Sequence, residues 1–91
     1  MKKKSSPKNE LLSLMNLGPA TRQDLILLGI NTIADLAQAN PDELYERIQK
    51  ITGKKHDPCV WDIFAAIIHE ANTGEKLPWW HWTPIRKARM H

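Results

Sequence analysis

The sequence contains a single cysteine, Cys59, so no internal disulfide can form, and no Cys-x-x-Cys pair suggests a zinc ribbon or a redox motif. A reducing compartment, the cytoplasm, is expected. No apolar run approaches the roughly 20 residues a membrane helix needs. The Met-Lys-Lys-Lys start is followed by polar Ser5-Ser6-Pro7-Lys8-Asn9-Glu10 rather than by an export core. Neither export nor membrane contact is expected. Alternation with period two is also missing, which argues against strands. Ninety-one residues leave room for one small domain and no deep enclosed pocket. The composition, 42% hydrophobic and 25% charged, is that of an ordinary folded chain and excludes global disorder.

The formal charge of +3 is unevenly placed. Residues 1–10 hold Lys2, Lys3, Lys4 and Lys8 against Glu10, and residues 83–91 hold Arg86, Lys87 and Arg89 with no acid, so the stretch between them carries −3. A polyanionic partner would have to be engaged by the ends together with some local feature of the core.

Pro, Gly and Asn punctuate the chain into helical segments, so the expected fold is all-α. A first helix is expected over about residues 6–15, with Leu11, Leu14 and Met15 as a buried stripe widened by Leu12. A second starts at Pro19 and buries Leu25 and Leu28, with Gly29 as a left-handed stop. Thr32 caps a short helix carrying Ile33, Leu36 and Ala37 that stops at Asn40. Asn40-Pro41-Asp42-Glu43 is a strong helix start, and Leu44, Ile48 and Ile51 mark one face up to Gly53. The fifth helix begins at Asp57-Pro58 and ends before Gly74. Val60, Trp61, Ile63, Phe64, Ile67 and Ile68 lie on several of its sides, so it is expected to be the most buried element or part of a partner interface. Thr83-Pro84 suits the start of a last short basic helix. The expected organisation is a basic flexible tail (1–6), a helical domain (7–74), and a Trp-rich basic segment (75–91) packed on it.

The most informative stretch is Leu14-Met15-Asn16-Leu17-Gly18-Pro19-Ala20-Thr21. Gly18 allows a sharp turn and close approach of another molecule, and Asn16 tolerates a left-handed backbone. The amides of Gly18, Ala20 and Thr21 open a helix, unpaired within it and backed by the positive end of its dipole, and so suit a phosphate. Residues 11–30 resemble the helix-hairpin-helix elements that bind DNA without sequence preference. The resemblance implies that Asn16, Leu17, Gly18, Ala20 and Thr21 grip a phosphate, with a monovalent cation held by hairpin carbonyls. Asn16 stands where those elements have their first glycine, and Ala20 where a lysine is common; Arg22 is placed to compensate.

More of the chain, including Leu28-Gly29-Ile30, Asp35-Leu36-Ala37, Pro41-Asp42-Glu43-Leu44, His56-Asp57-Pro58-Cys59-Val60 and Trp79-Trp80-x-Trp82-Thr83, is similar to small bacterial "pathogenicity locus" proteins, also labelled mitomycin-resistance proteins. A related arrangement occurs in the C-terminal domain of Sxy-type competence regulators. The implied fold is a tandem helix-hairpin-helix: Leu14, Pro19 and Ile26 recur as Leu36, Pro41 and Ile48, giving a pseudo-twofold four-helix unit plus the fifth helix and the Trp-rich segment. The second hairpin carries Asp42, Glu43 and Glu46 and would repel a phosphate.

Trp61, Trp79, Trp80 and Trp82 suit stacking on bases or anchoring a protein partner, self-association included; the competing reading folds the tryptophans back over the fifth helix. Cys59 lies near a helix start, Lys54, Lys55 and His56, which would favour a thiolate, although a packing role is the commoner one. His56, Asp57, Cys59, His69 and His81 match no zinc spacing, and no metal site is expected beyond the hairpin cation. The chain is too short for the flipped-base pocket of a glycosylase and lacks a lysine–aspartate pair, so it is not expected to be an enzyme. The expected function is weak, sequence-independent DNA binding through the hairpin amides, Arg22 and the terminal basic residues. The alternative is an adaptor domain using the fifth helix and the Trp-rich segment.

Overall fold

The computed structural model describes residues 11 and 13–90. Its elements are α1 (Pro19–Leu27), α2 (Ile33–Ala37), α3 (Pro41–Thr52), α4 (Cys59–Thr73), a 3₁₀ turn (Trp79–Trp82) and α5 (Thr83–Met90). The described residues contain helices and turns and no strand, so the fold is all-α. Most of the helix expected over residues 6–15 falls outside the described residues, as do the tail lysines Lys2, Lys3, Lys4 and Lys8. At its visible end the chain is already in turns from Ser13 to Asn16, closed by a Leu14 N–H to Leu11 carbonyl bond of 3.0 Å, so no helix extends to Met15.

Local chemistry sets the helix ends. Gly29 is left-handed (φ 78°), and the Gly29 and Ile30 amides bond the Ile26 and Leu25 carbonyls at 3.1 and 2.9 Å, a Schellman closure that buries Ile30 beside Leu25. The Thr32 hydroxyl accepts the Asp35 amide (3.0 Å), while the Asp35 carboxylate accepts the Asn31 amide (3.4 Å), which starts α2. That helix ends at Ala37, short of Asn40. Asn40 Oδ1 accepts the Asp42 and Glu43 amides at the head of α3, and left-handed Gly53 closes it.

The core gathers Leu11, Leu14, Leu25, Leu28, Ile30, Leu36, Leu44, Ile48, Phe64, Ile67 and Ile68. Helix α4 is its axis: α2, α3, the 3₁₀ turn and α5 all pack against it. Ile51 departs from the expected stripe. It is 48% exposed, because the last turn of α3 has run past the core that Leu44 and Ile48 reach.

Two carboxylates fasten the end of the chain to this core. Asp62 is fully buried and accepts the Thr83 hydroxyl (2.8 Å) and Arg86 Nε (2.9 Å). Asp42 accepts Trp61 Nε1 through one oxygen (2.8 Å) and Arg89 through the other (2.6 Å), with the Arg89 guanidinium also 5.5 Å from the Trp61 ring.

Candidate functional site

The turn before α1 is built by Asn16. Its φ of 71° makes it the only non-glycine left-handed residue among those described. Its side chain is committed at both ends: Nδ2 donates to the Leu77 carbonyl (2.8 Å), and Oδ1 accepts the Trp79 amide (3.1 Å), which fixes the amide orientation. Next to it, the Met15 amide donates to buried Glu70 (2.9 Å), whose other oxygen pairs with Lys76 (2.6 Å); Lys76 also donates to the Ser13 carbonyl (3.2 Å). The turn and residues 76–79 are therefore one bonded unit.

Gly18, expected to make the bend, has an ordinary extended backbone (φ −92°, ψ 175°), and a Cβ built on it meets nothing within 4 Å. The bend is Asn16's work, and Gly18 is not needed for the fold. As N-cap residue, Gly18 offers no side chain to the helix, and Pro19 has no N–H. The Gly18, Ala20 and Thr21 amides have no hydrogen-bond partner among the described residues; the first intrahelical bond is Arg22 N–H to the Gly18 carbonyl (3.0 Å). The main-chain carbonyls of Asn16 and Leu17 likewise accept nothing from the described residues.

These donors border an open groove of about 480 Å³, lined by residues 16–21, by Ile63 of α4, and by Trp79 and Trp80. No carboxylate lines it. Asp24, the acid on α1, lies outside the lining, and burial pushes its carboxyl above the ordinary range. Arg22, half-buried, has no acidic partner among the described residues.

The structure separates the other residues singled out in the sequence. Trp61 is 2% exposed, so it belongs to the interior and not to a partner surface. Trp79 and Trp82 are half-buried, Trp82 edge-on to His69 (5.3 Å) and His81 (4.8 Å), whereas Trp80 is 60% exposed. Arg86 and Arg89 are each tied to a carboxylate; of the C-terminal basic residues, only Lys87 has no partner among the described residues. At Cys59 the expected thiolate bias is reversed. A hydrogen bond to the Asp57 carboxylate, followed by burial and the charges of Asp57 and Asp62, pushes the thiol up, while the Cys59 amide holds the Asp57 carboxyl down. Among the described residues, no group of three or more His, Cys, Asp or Glu could hold a metal, and no helix is long and apolar enough to cross a membrane.

Two features have no counterpart in the sequence reading. Ile63 joins the groove, which only the packing of α4 beneath the turn reveals. Lys50, Lys54 and Lys55 gather around a second open groove of about 470 Å³ at the end of α3, a cluster visible in the sequence as closely spaced lysines flanking Gly53.

A family model described as "Pathogenicity locus" matches residues 4–88. A curated relative, the mitomycin resistance protein McrB of Streptomyces lavendulae, is 37% identical over 86 residues, covering 94% of this chain and 82% of the relative. No solved structure matches the chain.

Proposed function

The chain belongs to the pathogenicity locus family, and from that premise we propose that it is a small helix-hairpin-helix module of the cytoplasm that binds DNA weakly and without sequence preference. The observation that carries this reading is the set of unpartnered amides of Gly18, Ala20 and Thr21 at the start of α1, facing a groove with no carboxylate in its lining. Such amides, with the positive end of the helix dipole behind them, hold a phosphate oxygen without reference to the base attached to it. Arg22, Lys87 and the N-terminal lysines add attraction, and a monovalent cation on the Asn16 and Leu17 carbonyls would add positive charge beside the phosphate. The relative's name gives a resistance phenotype and leaves the molecular act open.

Gly18 supplies the test. Gly18→Asp places a capping carboxylate at the N-cap, where it satisfies the free amides and complements the dipole, so the helix gains a few tenths to about 1 kcal/mol. The same carboxylate occupies the proposed phosphate site. The expected result is a variant at least as stable as the parent that no longer binds DNA in a low-salt anisotropy titration. The parent's affinity should fall steeply with salt, as neutralising about three or four phosphates requires. Unchanged binding by Gly18→Asp, or no binding by the parent at low salt, refutes the reading.

A further inference from the structure

We propose that the groove takes an unpaired nucleotide, its phosphate on the α1 donors and its base stacked on Trp80, so that the chain prefers single-stranded DNA to duplex. This rests on the DNA-binding reading above and adds to it the form of the nucleic acid.

Two independent observations carry it. The first is Thr21, which is 8% exposed and lines the groove, yet its hydroxyl has no hydrogen-bond partner among the described residues. No fully sealed side-chain polar atom among the described residues lacks a partner, so this hydroxyl reaches solvent, on a residue that lines the groove. It adds a side-chain donor to the three amides, and together they form a small, uncharged set suited to one anion.

The second is Trp80. The residue is 60% exposed, whereas the neighbouring Trp79 and Trp82 are half-buried. It is held in place: Trp79 stands edge-on to it at 5.6 Å, and the Trp79 backbone is pinned to Asn16. A large, exposed indole thus lines the same groove as the anion donors. A single nucleotide carries both matching groups, a phosphate and a flat ring, within one sugar of each other. The groove volume of about 480 Å³ lies in the range of small-ligand sites. Duplex DNA satisfies only half of this arrangement, because its bases are stacked on one another and present edges, not faces. Free phosphate would likewise leave Trp80 in water.

The test uses the full chain with three labelled probes of equal length at low salt: a dT oligonucleotide, a duplex, and an oligonucleotide of abasic residues. The parent is expected to bind the dT strand more tightly than either of the others. Trp80→Ala should weaken dT binding roughly 5- to 150-fold, the effect of losing one base–aromatic stack, while leaving duplex and abasic binding unchanged. Circular dichroism of this variant should match the parent, since the ring lies mostly outside the core. Gly18→Asp should remove binding to all three. Equal affinity for dT strand and duplex, or dT binding unaffected by Trp80→Ala, overturns the proposal and leaves the phosphate reading intact. Absence of binding to every probe overturns both.

Discussion

Replacing Asn16 by alanine and, separately, by glycine divides its two contributions. Both variants lose the bonds to the Leu77 carbonyl and the Trp79 amide. At a net worth of about 0.5–1.5 kcal/mol each, these amount to about 1–3 kcal/mol. Only alanine must also hold a Cβ at φ 71°, where a left-handed L-residue costs roughly 1–2 kcal/mol. Asn16→Ala is therefore expected to destabilise by about 2–5 kcal/mol and Asn16→Gly by about 1–3 kcal/mol. Against a total stability of about 5–15 kcal/mol for a domain, either change is large enough to measure. Urea unfolding followed by tryptophan emission and by circular dichroism gives both numbers. Equal losses for the two variants would refute the backbone argument. A glycine variant within about 0.3 kcal/mol of the parent, the usual scatter between independent sites, would refute the side-chain clamp.

Two further predictions concern groups outside the groove. Arg86→Met strips a fully buried carboxylate, Asp62, of its charged partner and should cost about 3–5 kcal/mol, with part regained in Arg86→Met/Asp62→Asn; a double-mutant cycle by urea unfolding checks it. The Cys59 thiol, pushed up by Asp57, should alkylate more slowly at neutral pH than a free cysteine, and Asp57→Asn should speed it. In the same variant the acid limb of the stability curve flattens. Asp57's carboxyl is held low when folded, so its contribution is complete above its unfolded pKa and is lost as pH falls through the folded one.

What could be read from the sequence was local. Thr32, Asn40, Gly29 and Gly53 act on amides and carbonyls within five residues of themselves, so residue type and spacing reveal them. Asn16's tolerance of a left-handed backbone was legible for the same reason. Its engagement with residues 77–79 was not, because the partners are main-chain groups some sixty positions away that leave no mark on residue type. The fates of Arg86 and Arg89 were hidden likewise: charge counted along a chain does not show which cations α4 and α3 have already neutralised. Trp61 and Trp80 look alike in sequence. One is sealed against Asp42 and the other is open to solvent, because the fold places one on the inner side of α4 and the other on the outer side of the 3₁₀ turn.

Asparagine at position 16 does what glycine could not. Glycine would permit the bend, but only a side-chain amide can also bond residues 77 and 79 and so tie the segment that leads into Trp80 to the turn.

Asp62 also bears on where the gene can be shortened. A fragment ending at Gly74, the obvious place to trim, would lose Thr83 and Arg86, the partners of the Asp62 carboxylate, and would lay bare the flank of α4 that the 3₁₀ turn and α5 cover. Such a truncation should behave as a loosely ordered, dye-binding collapse product, not as a miniature of the parent. The closing residues are structural masonry, and expression tags belong beyond them.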